Sequence, residues 1–340
     1  MKEPPSHAAS TPHATEDDPT WAARMAVRRA HASWRPSREA RRYGMQLRRF
    51  AGPSVYRQQV SHLRIAHLTD LHVGRITPFE VQRTAVEMTN AEKPDLIVIS
   101  GDFVCHSQLY LDQLTEVVRL FQAPVVTVLG NHDYWSGADE VRRALERAGA
   151  EVLRNRNTII TLGSQRLQLV GLDDAYTGHA RREEAVKGLR KDIPTLGISH
   201  IAEEADGLWR HGVPLVLSGH THGGQVTLAR LHELAVGIVA GHKYVHGLYG
   251  SRHHGPDHEP TGAVYVGAGI GAAVVPLRLG ERGKREVTMF ELGCSPGDFV
   301  EHHSEQEPMK GRKPTPETIQ RRAEAVLRKR LRREKRLLNR

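Results

Sequence analysis

Short apolar runs alternate with amphipathic stretches through the first half of the chain. The apolar runs are typical of buried strands that end in polar residues: HLRIAHLTD (62–70), DLIVIS (95–100) and PVVTVLG (124–130). The stretches between and after them carry apolar side chains at helical spacing over residues 79–92, 107–122 and 137–149. This alternation of strand and helix predicts a parallel sheet covered by helices.

The second half of the chain is richer in strands than in helices. Its apolar runs are NTIITL, LQLVGL, TLGISH, PLVLSG, QVTL, AVYVGAG and EVTMFEL. No internal repeat of 20–50 residues interrupts them, so a solenoid or propeller is not expected. The whole pattern predicts an α/β fold.

The two ends of the chain differ from this body. Residues 1–20 are rich in Pro, Ser, Thr and charged residues, and this composition predicts a disordered leader. Residues 21–60 predict a basic helical extension broken near Pro36, and residues 61–295 predict the main domain. Residues 296–340 predict a linker and a basic amphipathic helix, because apolar residues from Ile319 to Leu338 recur every three to four positions.

The two ends of the chain are basic and the body is acidic, a difference that the net charge of the whole chain does not show. The 340 residues carry a net charge of +9, and they are 39% hydrophobic and 26% charged, as in ordinary globular proteins. Residues 1–60 carry +6 and residues 309–340 carry +10, which leaves −7 for residues 61–308. The absence of an 18-residue apolar run argues against a transmembrane helix. We therefore expect a cytoplasmic protein, either free or bound peripherally to the inner face of the membrane.

The cationic ends have three interpretations. An amphipathic cationic helix can lie on an anionic membrane surface. A solvated helical extension explains the tail equally well, and phosphate contacts to nucleic acid are the weaker third interpretation because aromatic residues make up only 5%. Two cysteines, Cys105 and Cys294, are too few for a disulfide scaffold.

The residues with chemical potential follow the predicted strands. The five strand ends read Asp70-Leu71-His72, Gly101-Asp102, Gly130-Asn131-His132-Asp133, Ser199-His200 and Gly219-His220-Thr221-His222. Ligands of open α/β sheets collect beyond the carboxyl ends of strands. Imidazole, carboxylate and amide groups suit divalent cations such as Mn, Zn, Fe or Mg. Because there are too many ligands for one tetrahedral zinc, they favour two metal ions that share a carboxylate.

The motifs D-x-H, GD, GNHD, a lone His and GHTHGGQ, in this order, resemble those of the calcineurin-like metallophosphoesterases. The resemblance spans about residues 62–292. LTDLHVGR and LSGHTHGGQ are most similar to the bacterial branch with membrane-associated and exported members. The resemblance implies a two-sheet αββα sandwich of the metallo-dependent phosphatase type, with the basic helical extensions at its ends.

The resemblance also implies a role for each matching residue. Asp70, His72 and His222 would hold the first of two divalent ions, Asn131, His200 and His220 the second, and Asp102 both. His132 would contact the phosphate and protonate the leaving oxygen, with Asp133 as its orienting partner. His200 is followed by Ile201-Ala202 where members of this branch often have Asn or Thr and then Pro, so its assignment depends on the preceding strand.

Three further residues are candidates for substrate binding. Lys243 and Tyr244 lie in a stretch similar to KYxxGLY in the family, and Arg278 could meet a substrate phosphate. A surface position without a ligand explains Arg278 equally well.

The implied reaction is hydrolysis of a phosphodiester, phosphomonoester or pyrophosphate by a metal-bridging hydroxide. A lipid- or nucleotide-linked substrate at the membrane is the leading expectation. A nuclease or cyclic-nucleotide phosphodiesterase is the second interpretation. The third is a non-catalytic scaffold of the same fold, which the intact ligand set argues against.

Overall fold

The structure is a computed structural model, and it describes residues 36–224, 240–252, 262–273, 278, 280–298, 301–302 and 304–338. Only residues from Pro36 onward are described below. The predicted leader, the first half of the predicted N-terminal helices and the predicted strand QVTL lie outside the described residues.

Sheet one has six strands in the order β1-β12-β2-β3-β4-β5. Its strands are β1 (Met45–Ala51), β2 (Leu63–Leu68), β3 (Leu96–Ile99), β4 (Val125–Thr127), β5 (Glu151–Val152) and β12 (Arg285–Leu292). Strands β2 to β5 are parallel, and β12 is antiparallel to β2 and parallel to β1. The parallel strands of the predicted βα units therefore sit together, with their carboxyl ends at one edge.

Sheet two has six strands in the order β10-β11-β9-β8-β7-β6. They are β6 (Arg156–Leu162), β7 (Gln165–Gly171), β8 (Thr195–Ile198), β9 (Leu215–Ser218), β10 (Gly247–Gly250) and β11 (Ala263–Val266). Strands β7, β8, β9 and β11 are mutually parallel, while β6 and β10 pair antiparallel at the two edges.

The described helices lie outside the sheets. They are α1 (Arg38–Arg42), α2 (Phe79–Ala91), α3 (Leu111–Arg119), α4 (Asn131–Ser136), α5 (Ala138–Arg147), α6 (Arg182–Ala185), α7 (Ala205–Arg210) and α8 (Pro316–Leu338). Helices α2, α3 and α5 pack in succession beside sheet one. The two sheets and their helical cover are the predicted two-sheet sandwich, so the predicted fold class is confirmed.

The main core lies between the two sheets. Ile65 and Val98 of sheet one belong to the same buried apolar cluster as Leu169, Leu196 and Leu217 of sheet two. Each fully buried aliphatic side chain contributes about 1.5–3 kcal/mol from removal of apolar surface from water. This shared core fixes the sheets face to face and brings their strand ends to a common edge.

Strand β1 corrects the prediction of helix over residues 21–60. The segment 38–42 is helical as expected, but Met45–Ala51 forms a strand paired with β12. The sequence did not predict this strand because two adjacent arginines, Arg48 and Arg49, are not typical of a buried strand. Both are buried: Arg48 binds Glu286 at 2.5 Å, and Arg49 binds Glu291 of β12.

The predicted C-terminal helix is present as α8, which has 23 residues. The segment before it is tied to the body, since Arg252 binds Glu301 at 2.6 Å and Glu305 at 2.9 Å. Within the described ranges, no helix is both long and apolar enough to cross a membrane.

Candidate metal centre

The strand ends of both sheets converge on one buried cluster of polar side chains. Sheet one supplies Asp70 and His72 after β2, Asp102 after β3, and Asn131 at the start of α4 after β4. Sheet two supplies His200 after β8, and His220 and His222 after β9. The structure thus brings all seven predicted metal ligands together.

Three of these residues form a first group, whose ligand atoms lie within 4.8 Å of one another. Asp70 Oδ1 is 3.3 Å from His222 Nε2 and 3.7 Å from His72 Nε2. The two imidazole nitrogens lie 3.0 Å apart. This geometry presents one carboxylate oxygen and two ring nitrogens to a common point.

A second group contains Asp102, His200 and His220. Asp102 Oδ2 is 3.4 Å from His200 Nε2, and the same nitrogen is 3.3 Å from His220 Nδ1 and 3.2 Å from Asn131 Oδ1. Asp102 Oδ2 is also 3.7 Å from His72 Nε2 in the first group. This oxygen therefore lies between the two groups, where a shared ligand is expected.

Each carboxylate uses one oxygen for the protein and turns the other into the cluster. Asp70 Oδ2 accepts hydrogen bonds from the Thr69 hydroxyl at 2.8 Å and the His220 backbone N–H at 3.1 Å, while Oδ1 is buried without a hydrogen-bond partner. Asp102 Oδ1 accepts the His132 backbone N–H at 2.8 Å, which leaves Oδ2 facing the imidazoles. Such bonds fix the direction of a carboxylate before a metal arrives.

Three of the four cluster histidines are neutral, and a hydrogen bond orients the fourth, His200. The His200 Nδ1–H donates to the Ser100 carbonyl at 2.7 Å, which directs Nε2 at the cluster. Burial lowers the pKa of His72 and of His222 to about 3, and holds the pKa of His220 well below its ordinary value. These rings are therefore neutral at pH 7, with a nitrogen lone pair available.

Asp102 and His200 form the charged pair of the cluster. Burial opposes the charged form of His200, but the charge of Asp102 and its hydrogen bond raise the His200 pKa to about 10. Burial likewise opposes the carboxylate of Asp102, and the charge of His200 holds the pKa of Asp102 well below its usual range. One proton thus occupies the second group when no metal is bound.

Backbone strain is concentrated at the ligands. Among the described residues, positive φ at non-glycine positions occurs at eight places, and five of these are Asp70, His72, Asp102, His220 and His222. A left-handed conformation at such residues costs about 1–3 kcal/mol each and persists where the surroundings impose it. Gly101, with φ of +94°, allows the sharp turn before Asp102. This strain distinguishes the cluster from ordinary helix caps.

His132 lies at the edge of the cluster and packs among rings. Its ring centroid is 4.7 Å from those of His72 and Trp135, and 4.3 Å from that of His106. Its Nδ1 is buried without a hydrogen-bond partner. Burial lowers the pKa of His132, and a phosphate beside the ring would act in the opposite direction.

Asp133 differs from the role implied by the resemblance. Its carboxylate does not contact the His132 ring, but accepts the backbone N–H groups of Asp102, Phe103, Val104 and Gly130 at 2.8–3.3 Å. The reason is its position in the first turn of α4, from which the side chain bends back over the helix start. Asp133 therefore braces the β3 and β4 loops against each other.

The three expected substrate residues are engaged elsewhere in the protein. Lys243 Nζ and the Tyr244 hydroxyl bind Asp206 at 2.7 and 2.6 Å. The Arg278 guanidinium donates to the carbonyls of Ala268 and Gly271, and lies 3.5 Å from His222 Nδ1. Arg278 thus supports a ligand loop, and the structure does not present any of the three as an open phosphate contact.

Several residues around the cluster were not among the predicted site residues. The His106 ring packs at a tilt against the His132 ring and stacks on the Trp135 ring. The centroid of the His242 ring lies 5.1 Å from that of the His220 ring. Cys105 lies close enough to His72 and His132 to form a third group of potential ligands. A positive φ at His106 and the placement of Cys105 depend on the turn after β3, which no local motif reveals.

The donor set fits divalent metal ions. A buried carboxylate oxygen without a hydrogen-bond partner, facing neutral imidazoles, is costly unless a cation completes it. Carboxylate, imidazole and amide donors suit Mn, Zn, Fe and Mg and do not select one of them. Two groups of residues are therefore able to hold divalent ions, with Asp102 between them.

Comparisons with known proteins agree with this assignment. The family model for calcineurin-like phosphoesterase matches residues 63–224. Phosphodiesterase YaeI of Escherichia coli is 30% identical over 249 residues, which cover 70% of this chain and 85% of YaeI. The uncharacterized metallophosphoesterase YkuE of Bacillus subtilis is 29% identical, with 67% and 78% of the two chains covered. A Helicobacter pylori metallophosphoesterase is 29% identical, and this chain spans only 56% of its length.

Solved structures were also compared. A 5'-nucleotidase precursor from Thermus thermophilus aligns with a TM-score of 0.44 and 15% identity, covering 79% of this chain and 58% of that one.

A two-sheet sandwich with Asp, His and Asn ligands at its strand ends defines a metal-dependent phosphoester hydrolase. This chain belongs to the calcineurin-like phosphoesterase family.

Proposed function

We propose that this chain hydrolyses a phosphodiester or pyrophosphate bond at a pair of divalent ions. The observation that carries the proposal is the buried Asp102 oxygen, which lies 3.7 Å from a nitrogen of the first ligand group and 3.4 Å from one of the second. Two such groups on either side of one carboxylate suit a two-ion site. The name of the E. coli relative, phosphodiesterase, supports a diester over a monoester.

In this proposal each group of side chains holds one ion. Asp70, His72 and His222 would hold the first, Asn131, His200 and His220 would hold the second, and Asp102 would serve both. When bound, the ions supply positive charge for the phosphate oxygens and a more acidic water.

The other residues of the site position the substrate and move a proton. His132 lies beside the first group, and protonates the leaving oxygen after a bound phosphate raises its pKa. His106 and Trp135 pack around the His132 ring and limit its rotation. Asp133 keeps the two loops together, so its contribution is to the position of Asp102 and His132.

The protein acts, in this proposal, at an anionic membrane surface. Helix α8 exposes Leu327 and Leu331 at 55% and 48%, one turn apart on the same side, among its many arginines and lysines. A cationic helix with an outward apolar side suits an interface of anionic lipid. One relative from Bos taurus is described as a transmembrane protein with a metallophosphoesterase domain, which supports a membrane location.

The test uses full-length protein stripped of metal and reloaded with Mn, Zn, Fe(II) or Mg. We expect about two ions per chain and hydrolysis of bis-p-nitrophenyl phosphate. Asp102→Asn should lose ion binding and turnover together, and His132→Gln should retain ions but lose about 10²–10⁴-fold in rate.

Asp139→Asn and His211→Gln are matched controls, because both side chains lie on the surface away from the cluster. Both should behave as the unaltered protein. Two bound ions with no turnover on any phosphoester would contradict the catalytic proposal, and a single bound ion would contradict the two-ion site.

A further inference from the structure

The C-terminal helix α8 lies directly against the rim of the metal centre. It packs against α4, the helix that begins at Asn131. Its Arg322 guanidinium carbon is 3.7 Å from the centroid of the Tyr176 ring, and its Lys329 Nζ is 4.3 Å from that of Trp135. Positions seven apart lie on one side of a helix, so both cations point the same way.

The two aromatic rings are neighbours at the rim of the site, with their centroids 6.0 Å apart. Trp135 lies 4.7 Å from His132, between ring centroids, on the side built by sheet one. Tyr176 lies 5.1 Å from His220 on the side built by sheet two. Arg322 and Lys329 are therefore each one aromatic ring away from a residue of the centre.

Among the residues that the structure describes, no carboxylate lies within 4.0 Å of the charged group of Arg322 or Lys329. Arg49 and Arg252, which are buried, each bind two glutamates instead. Two cations at the rim of the site, without a carboxylate partner among the described residues, provide a place for a second anion.

The charge of Lys329 also reaches the centre itself. Burial lowers the pKa of His106 to about 4, with His132 and then Lys329 acting in the same direction. Lys329 is exposed overall, and the partial burial of its ammonium group lowers its pKa.

We propose that Arg322 and Lys329 bind a second anionic group of the substrate, next to the phosphate that is hydrolysed. The substrate class is then a pyrophosphate diester, in which one phosphate occupies the metal centre and the other meets α8. Both residues are specificity-determining groups. This inference rests on the proposed phosphoesterase function and assigns its substrate preference to the C-terminal helix.

The kinetic test compares two substrates on metal-loaded full-length protein. UDP-glucose is a pyrophosphate diester, whereas bis-p-nitrophenyl phosphate has a single phosphate. We expect Lys329→Met and Arg322→Gln each to raise KM for UDP-glucose about tenfold, as loss of one charge-assisted hydrogen bond predicts. The kcat/KM for bis-p-nitrophenyl phosphate should stay within about twofold.

Arg328→Gln and Lys335→Met are the matched controls, because both remove an exposed cation from the same helix without a ring contact to the site. Equal losses of kcat/KM on both substrates would show that the α8 residues have only a structural role. Higher kcat/KM on both would show that α8 restricts access to the site. Either result, or no change with UDP-glucose, overturns the inference.

A binding measurement separates this inference from the proposed function. Methylenediphosphonate, a pyrophosphate analogue that resists hydrolysis, is titrated into metal-loaded full-length protein, with Trp135 fluorescence as the signal and Trp135→Phe to identify it. We expect binding that weakens about tenfold in Lys329→Met and in Arg322→Gln and is unchanged in the controls. Absence of binding, or binding unaffected by both variants, overturns the inference even if turnover is normal. Selective loss of binding supports it even if no phosphoester is hydrolysed.

Discussion

At the scale of single residues, the centre depends on how each ligand is aimed. Asp70 and Asp102 each give one oxygen to backbone or hydroxyl donors and keep the other for the cluster. His200 is aimed by the Ser100 carbonyl and carries a proton because Asp102 is beside it. A metal ion that binds there must displace this proton.

We therefore predict that ion binding releases a proton from His200. The His200 pKa of about 10 lies above neutrality, so the metal-free site is protonated at pH 7–9, whereas His72 and His222 are already neutral. Apparent ion affinity should rise up to tenfold per pH unit over this range. Calorimetry in buffers of different ionisation enthalpy should count about one more proton released by the unaltered protein than by His200→Gln. Equal release by the two proteins would contradict the prediction.

The same pair should affect the stability of the metal-free protein. The folded pKa of His200 is raised above the value of about 6.5 for an unfolded chain. Its contribution to the free energy of unfolding is fully present below pH 6.5 and is lost as pH rises towards 10. Urea unfolding at pH 6 and pH 9.5 should show a stability difference that shrinks in His200→Gln. An unchanged difference in the variant would contradict the assignment.

At this scale, the sequence predicted which side chains the fold brings together, but not their surroundings. Asp70, His72, Asp102 and the histidines after β8 and β9 could be predicted because strand ends impose a common location. The bracing role of Asp133 could not, because it depends on which of several nearby donors the carboxylate reaches.

At the scale of elements, periodicity predicted most strands and helices within a few residues. The exceptions are informative. Strand β1 was interpreted as helix, because Arg48 and Arg49 occupy buried positions and are neutralised by glutamates distant in sequence. Strand β5 has only two residues, and β10 contains two glycines, so neither carries a periodic signal.

The buried charges of β1 lead to a prediction about stability. Arg49 is fully buried between Glu291 and Glu92, so Arg49→Met would leave two carboxylates without their main partner. We expect a loss of about 3–5 kcal/mol in the free energy of unfolding, measured with urea. Arg57→Met is the control, because Arg57 is exposed, and it should cost less than about 0.5 kcal/mol. Similar small losses of unfolding free energy in both variants would show that the buried charges of β1 contribute little to stability.

At the scale of the whole molecule, charge and apolar surface are distributed unevenly. The body is mildly acidic, while residues 309–340 carry +10. Helix α8 turns Arg322 and Lys329 towards the site and Leu327 and Leu331 towards solvent. The amphipathic pattern predicted this helix, but its docking on the rim of the centre required the fold.

This arrangement predicts salt-sensitive membrane binding. Full-length protein should cosediment with vesicles of anionic phosphatidylglycerol and not with vesicles of phosphatidylcholine, and binding should fall as salt rises. Leu327→Asp with Leu331→Asp should weaken binding at least tenfold. Leu109→Asp, which alters a leucine that is 89% exposed elsewhere on the body, should not. Equal binding to both lipids would contradict the proposed membrane surface.

The division of ligands between the two sheets has a consequence for metal binding during synthesis on the ribosome. Residues 70 to 131 leave the exit tunnel before residues 200 to 222. They contain Asp70, His72, Asp102 and Asn131, but no complete ligand group. The histidines that complete both groups follow only with residues 200 to 222. A nascent chain therefore gains its full affinity for metal late, after strand β9 has been made, and metal capture reports that the two halves of the sandwich have met.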